Sequence, residues 1–240
     1  MFHSLPNPEA DTDNAVEPRN RWALIDLLVF GFFFLAMLIA IAPLARLPVI
    51  YAIPLQGVFN LALVGFIAGW IRIVRHSSFK EYIHFYRSRT FSTRSLIGVG
   101  LTSALSVLLI SAFLPSSGQT PLEKLLTSRS AIAIFALFGI AVAPLLEEII
   151  FRGFLFKVLW EIGGSRTAIV ITAALFALLH AGQLAGNWGS VVLIFGVGCL
   201  LSFIRYRSNS IIPSFIVHTS YNATLFVLFA VSSVAQKFAK

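Results

Sequence analysis

Charged residues are scarce in this sequence: Asp, Glu, Lys and Arg together make up 12% of its 240 residues, whereas 58% are hydrophobic. The mean hydropathy of +0.86 excludes a soluble globular domain. Apolar runs of about 20 residues recur, and each is long enough to cross the hydrocarbon core of a bilayer as a helix. We therefore expect an all-α, polytopic transmembrane bundle whose 23 phenylalanines mainly face lipid.

The chain also has little cysteine. Its single cysteine, Cys199, lies in an apolar run and can form no intrachain disulfide, so cysteine usage does not indicate a redox compartment. Residues 1–21 lack the basic start, short apolar core and small-residue cleavage site of a secretory signal. They are rich in Pro, Asn, Asp and Glu and are predicted to be a disordered tail. A single transmembrane domain is expected over residues 22–240.

Acidic residues are fewer than basic ones, 10 against 18, which gives a formal net charge of +8. The basic residues lie in short segments between apolar runs, as in cytoplasmic loops, so we expect no nucleic-acid partner. Basic loops after the second, fourth and sixth spans predict a cytoplasmic N-terminus. The expected number of spans is seven, or eight if the long fourth element breaks. The expected location is the plasma membrane. The predicted spans are 22–45, 47–73, 95–114, 129–160, 166–183, 189–204 and 210–234.

Three shorter features lie within or between these predicted spans. The pair Gly163 and Gly164 is expected to end the fourth span. Segment 79–87 mixes aromatic and basic residues, which suits a short helix at the level of the lipid headgroups, and a plain solvated loop explains it equally well. Asp26, the one charge within the first span, is expected to be a span-end or topology residue.

Two adjacent carboxylates, Glu147 and Glu148, and the guanidinium of Arg152 lie inside the fourth apolar run. A charge at the bilayer centre costs roughly 2.5–3.5 kcal/mol on insertion scales, so such groups need partners and are functional candidates. Glu148 and Arg152 are four residues apart and share a helix face, whereas Glu147 lies about 140° from Arg152. We expect Glu148 to pair with Arg152 and Glu147 to stay free for chemistry. A surface ion cluster is the alternative if the helix leaves the membrane early.

Three further polar side chains, His180, His218 and Asn222, lie in apolar spans. Counted from the predicted cytoplasmic ends, Glu147 and His180 both lie about 20 Å deep. His218 lies about seven residues deep, so these groups can meet in one cytosol-facing cavity. His218 and Asn222 share a helix face and offer donors of the kind that a developing oxyanion needs. A carboxylate beside an imidazole can deprotonate a water. Taken singly, His180 and Asn222 are equally explained as helix-to-helix hydrogen-bonding residues.

These residues form three pieces that resemble, in order and spacing, the motifs of the CAAX protease and bacteriocin-processing family of intramembrane proteases. The pieces are Glu147-Glu148-x-x-x-Arg152, Phe176-x-x-x-His180 and His218-x-x-x-Asn222. The resemblance covers about residues 131–226, under half of the chain. It implies a glutamate-dependent endopeptidase with a water-filled cavity that opens to the cytosol. By position, it makes Glu147 the general base and His180 its partner in holding water. It makes His218 and Asn222 the oxyanion donors, with supporting residues Glu148, Arg152 and Phe176.

The resemblance also implies the partners: membrane lipid and a membrane-associated substrate, either a prenylated CAAX-type tail or a bacteriocin-like peptide. The alternative within the family is a non-catalytic membrane binding protein of the same fold, such as an immunity or partner protein. No cofactor is expected, and zinc held by Glu147, His180 and His218 is the alternative. Two hypotheses from other classes stay open: a haem or quinone held by the histidines, and proton-coupled transport through Glu147 and His180.

Overall fold

The computed structural model describes residues 21–43, 51–114, 136–184 and 186–238, so the predicted tail lies almost wholly outside the described ranges. Within these ranges the regular elements are all helical. They are α1 (Arg21–Ile41), α2 (Ala52–Ile73), α3 (Phe79–Tyr82), α4 (Thr93–Ser111), α5 (Ala143–Glu148), α6 (Phe156–His180), α7 (Trp188–Ser208) and α8 (Ile211–Phe238). Two π-helical segments, Phe138–Val142 and Ile149–Leu155, flank α5.

Six helical stretches of the described chain are long and apolar enough to cross a membrane, which confirms the polytopic helical bundle. Five of them overlap the predicted spans one to one. The sixth stretch, Phe138–His180, has 43 residues and covers both the fourth and the fifth predicted span. The predicted start of the fourth span, at residue 129, lies outside the described residues. The side of the membrane that faces the cytosol stays a prediction.

The chain reverses inside this long stretch, at Gly163 and Gly164. As one straight helix, 43 residues would be about 65 Å long, twice the thickness of the hydrocarbon core. Gly164 instead has a φ of 78° and a ψ of 179°, a conformation that requires glycine. The rings of Phe151 and Phe176 lie 5.3 Å apart, although straight helix would separate them by about 37 Å. The two halves therefore run antiparallel, and each of the seven predicted spans overlaps helix among the described residues.

The core between α1, α2 and the second π segment is built from phenylalanines. Phe33 stacks on Phe66 with ring centroids 4.0 Å apart, and Phe30 contacts Phe154 at 5.2 Å. Phe30 and Phe154 are buried. The expectation that phenylalanines face lipid is therefore wrong for Phe30 and Phe154, whereas others such as Phe32 are exposed. Aromatic packing therefore holds in place the π segment that directly follows the acidic pair.

A second core joins α4, α7 and α8, and it holds the helix that carries His218. Gly100 of α4 lies against α8 so closely that a Cβ there would be 2.6 Å from Cβ of Ser220. Only glycine permits this approach. Leu96, Leu201 and Val217 are buried in the same core. The position of α8 is thus set by its packing against α4 and α7.

Segment 79–87 forms the single helical turn α3 and then continues irregularly, and its placement at the level of the lipid headgroups stays a prediction. The irregular part contacts the start of α8, where the backbone N–H of Ile211 donates to the carbonyl of His84 at 3.2 Å. The hydroxyl of Ser210 donates to the carbonyl of Tyr86. These bonds join the segment after α2 to the start of α8, the helix that carries His218.

Candidate active site

The acidic pair ends α5, at the point where the backbone changes from α-helical to π-helical geometry. Glu147 is 7% exposed and Glu148 is fully buried. A π-helix bonds residue i to i+5, is rare, and occurs mostly as short insertions that are frequent at functional sites. Neither π segment is predictable from the sequence, because the apolar pattern of residues 138–155 fits an ordinary α-helix.

His218 of α8 contacts both carboxylates. Its Nδ1 lies 3.1 Å from Oε1 of Glu148, and its Nε2 lies 3.7 Å from Oε2 of Glu147. Because an ionised carboxylate only accepts hydrogen bonds, Nδ1 of His218 carries a proton in this arrangement. The 3.7 Å separation is longer than a hydrogen bond and is of the kind that a bridging water spans. The imidazole is 3% exposed, so this contact lies inside the bundle.

Glu148 also pairs with Arg152, as the four-residue spacing predicts. Nη1 of Arg152 lies 3.1 Å from Oε1 of Glu148, and both side chains are fully buried. Arg152 donates a hydrogen bond from Nη2 to the carbonyl of Gly198 on α7, at 3.2 Å. Its guanidinium lies 4.6 Å from the centroid of the Phe176 ring on α6. Buried charges need such partners, and here they come from three different helices.

Phe176 connects His180 to this cluster. The Phe176 ring lies 4.4 Å from the His180 ring and 5.7 Å from the His218 ring, measured between centroids. Nδ1 of half-buried His180 lies 2.7 Å from the carbonyl oxygen of Phe176. Because a carbonyl only accepts, Nδ1 is the donor, and the neutral ring presents Nε2 as an acceptor. The imidazole in direct contact with Glu147 is therefore that of His218, while His180 lies beside it across Phe176.

Asn222 is tied to the first π segment. Its Nδ2 donates to the carbonyl of Gly139 at 2.8 Å, which uses one of the two amide hydrogens. Asn222 lies one turn beyond His218 on the same face of α8, as its spacing predicts. The amide therefore helps to fix the backbone near the acidic pair, and one hydrogen is left for another acceptor.

Arg205 of α7 makes the equivalent bond to the second π segment. Its Nε donates to the carbonyl of Arg152 at 3.0 Å, and the side chain is 1% exposed. A π segment shifts the register of backbone hydrogen bonds, so buried carbonyls there need other donors. In the sequence, Arg205 belongs to the basic loop after the sixth span, and nothing in its spacing distinguishes it from the exposed Arg207.

No group of three His, Cys, Asp or Glu side chains in the described ranges is arranged to hold a metal ion. The alternative zinc set of Glu147, His180 and His218 does not form such a group in this structure. The expectation that no cofactor is needed stays a prediction.

Comparison with known families supports the resemblance stated from the motifs. Residues 129–224 match a family model described as type II CAAX prenyl endopeptidase Rce1-like. The match covers about two fifths of the chain and includes the three motifs with every residue of the site described above. Comparisons with curated proteins and with solved structures found no match.

Proposed function

We propose that this chain, which belongs to the CAAX protease and bacteriocin-processing family through residues 129–224, is an intramembrane endopeptidase that uses Glu147 to activate water. The supporting observation is the buried contact of one imidazole, His218, with two adjacent carboxylates. Glu148 is neutralised by Arg152 at 3.1 Å. Glu147 forms no ion pair with an arginine or lysine among the described residues, so it is the carboxylate left for proton transfer.

In the proposed reaction, a water lies between Glu147 and Nε2 of His218. Glu147 takes a proton from this water as the oxygen attacks the carbonyl carbon of the scissile peptide bond. The carbonyl oxygen becomes an oxyanion, which accepts hydrogen bonds from the imidazolium form of His218 and from the second amide hydrogen of Asn222. The C–N bond then breaks, and the departing amine takes the proton from Glu147.

The remaining residues hold these groups in place. Glu148 accepts from Nδ1 of His218 and so orients Nε2 toward Glu147, as a carboxylate orients the histidine of a hydrolytic triad. Nε2 of His180, left as an acceptor by the bond to Phe176, holds the attacking water by its second hydrogen. The substrate class we propose is a membrane-associated polypeptide, either lipidated or bacteriocin-like.

The test is peptide release by the full chain in detergent. Matched lipidated and unlipidated substrate peptides are incubated with wild type, Glu147→Gln and the control Glu161→Gln, and the products are identified by mass spectrometry. Glu161 is part-exposed and pairs with Lys157 on the same helical turn. Wild type and Glu161→Gln should cleave, and Glu147→Gln should lose about 10²- to 10⁴-fold in rate while its melting temperature is unchanged.

Full activity of a folded Glu147→Gln variant would remove the assignment. A second arm adds excess chelator, which should leave the rate of the wild type unchanged. Loss of activity that added zinc restores would replace the proposed mechanism with a metal-dependent one.

A further inference from the structure

A cavity of about 440 Å³ lies at one end of the bundle, and neither residue of the acidic pair lines it. Its walls include Trp22 at the start of α1, Arg75 just past the end of α2, Glu81 and Tyr82 of α3, and Lys157. It therefore lies where α1 and α2 leave their apolar stretches. Tryptophan, tyrosine and basic side chains are typical of the level at which lipid headgroups lie.

The wall of this cavity is held by a buried carboxylate, Asp26 of α1, which is 0% exposed. Its two oxygens accept from Nε1 of Trp70 at 2.8 Å and from the hydroxyl of Tyr82 at 3.0 Å. Nε of Arg75 lies 3.6 Å from the same carboxylate. Burial, with the neighbouring Asp26 charge, raises the pKa of Tyr82, so this hydroxyl remains a donor. Two walls of the cavity are thus fixed in place before any ligand binds.

Two cations border the cavity around one aromatic ring. The guanidinium of Arg75 and the ammonium of Lys157 lie 6.0 Å and 4.9 Å from the centroid of the Tyr82 ring. Their side chains are 17% and 25% exposed. A guanidinium has five N–H donors and an ammonium has three, more than the pairing of Arg75 with Asp26 and of Lys157 with Glu161 uses. Both side chains can therefore also donate to a phosphate.

The same cavity carries one carboxylate of a different kind. Glu81 is exposed and, among the residues that the structure describes, takes part in no ion pair. It disfavours a purely anionic ligand and accepts hydrogen bonds from a primary ammonium. A group with a phosphate and a primary ammonium matches both signs of charge, and a quaternary ammonium does not, because it has no N–H to donate.

We propose that this cavity binds the phosphoethanolamine headgroup of a membrane phospholipid, with the phosphate at Arg75 and Lys157 and the ammonium at Glu81. The site is separate from the acidic pair, so the proposal does not depend on peptidase activity. A lipid held there contacts α1, α2, α3 and the Lys157 turn together. Binding therefore stabilises the packing of these elements.

Native mass spectrometry of the full chain tests the proposal, with titrated phosphatidylethanolamine, phosphatidylcholine and phosphatidylglycerol of matched acyl chains. Wild type should bind phosphatidylethanolamine about three- to five-fold more tightly than the other two, the range that one partly exposed ion pair gives. Glu81→Gln should remove that preference. Lys157→Gln should weaken all three lipids by a similar factor, and the control Lys80→Gln, on the same turn as Glu81 and outside the cavity, should change nothing.

Equal affinity of wild type for the three lipids, or a phosphatidylethanolamine preference that persists in Glu81→Gln, would overturn the proposal. Equal losses in Lys80→Gln and Lys157→Gln would also overturn it, because they would show general surface charge rather than a site. Free O-phosphoethanolamine separates the two sources of the headgroup: it should not displace bound lipid at equal concentration, and displacement would assign the cavity to a soluble phosphate ester instead. Melting temperatures show that each variant is folded.

Discussion

Two carboxylates, Asp26 and Glu148, are equally buried in the same apolar bundle, each with 0% exposure, but their neighbours differ. Each oxygen of Asp26 has its own neutral donor, Trp70 on one side and Tyr82 on the other, and Arg75 lies slightly farther away. A carboxylate satisfied in this way has no acceptor position in need of a partner. Such an arrangement suits a fixed structural role.

Glu148 instead has two partners, the imidazole of His218 and the guanidinium of Arg152, on the single oxygen Oε1. A second carboxylate, Glu147, precedes it in sequence and contacts the same imidazole. The comparison teaches that burial of a charge does not by itself mark a reactive site. What distinguishes the Glu148 cluster is an ionisable partner shared with a second, less fully paired carboxylate.

Loss of charge should therefore lower activity at Glu148 and leave it nearly unchanged at Asp26. Glu148→Gln leaves Arg152 buried without its carboxylate, which costs about 3–5 kcal/mol of stability, and frees the His218 ring. We expect peptide release to fall at least about 100-fold. The double variant Glu148→Gln/Arg152→Met should regain the melting temperature but not the activity. Recovery of both would assign Glu148 to structure, like Asp26.

Arg205 offers a sharper test, since it acts on the backbone that presents the acidic pair. Arg205→Met leaves the carbonyl of Arg152 buried without its donor, a loss worth about 1–3 kcal/mol. We expect kcat to fall about ten-fold with little change in KM, and Arg205→Lys to restore part of it. Arg207→Met, at an exposed position two residues on, is the control. Equal effects of Arg205→Met and Arg207→Met on kcat would show that the bond to the π segment does not matter.

Asp26→Asn should lower stability and spare catalysis. The amide keeps one acceptor oxygen and loses the charge that faces Arg75, so we expect a loss of about 1–3 kcal/mol in unfolding free energy. Denaturation of the purified protein measures this loss, and kcat of the folded fraction should stay within about two-fold of wild type. A folded but inactive Asp26→Asn variant would break the distinction between the two carboxylates.

The smallest effect is a pH dependence of stability at His84, in the segment that joins the Asp26 region to α8. Burial, with the positive charges of Arg205 and Lys157, lowers the pKa of His84 to about 4. Between about pH 6.5 and pH 4 the unfolded chain binds a proton at this residue that the folded chain does not. Stability should therefore fall as the pH is lowered through this range. His84→Asn, which tolerates the φ of 56°, should flatten that part of the melting profile, and an unchanged slope would contradict the assignment.

Local spacing was enough to predict part of this site. The pairing of Glu148 with Arg152 and the reversal at Gly163 and Gly164 both follow from residues a few positions apart, and the structure contains both. Helix depth also brought Glu147 and His218 to one region. Angles along an ideal α-helix could not show that Glu148 also reaches His218, because a π segment begins directly after it.

Contacts between residues far apart in the chain could not be predicted from the sequence. The prediction that Asp26 is a span-end or topology residue misses its buried hydrogen bonds. Its donors Trp70 and Tyr82 lie 44 and 56 residues away, and no spacing in the sequence links them to Asp26. Arg205 was missed for the same reason, because its acceptor is a backbone carbonyl on another helix. The burial of Phe30 and Phe154 was not predictable either, because a sequence in which most residues are apolar does not show which face turns to lipid.

The central claim is that Glu147 and His218 act as one catalytic unit, and a double-variant cycle measures this most directly. Peptide release is followed over long incubations for Glu147→Gln, His218→Gln and the variant that carries both. Residues that act as a unit are strongly non-additive, so we predict that the double variant loses no more than about three-fold beyond the slower single variant. Losses that multiply, or a fully active His218→Gln, would contradict the account.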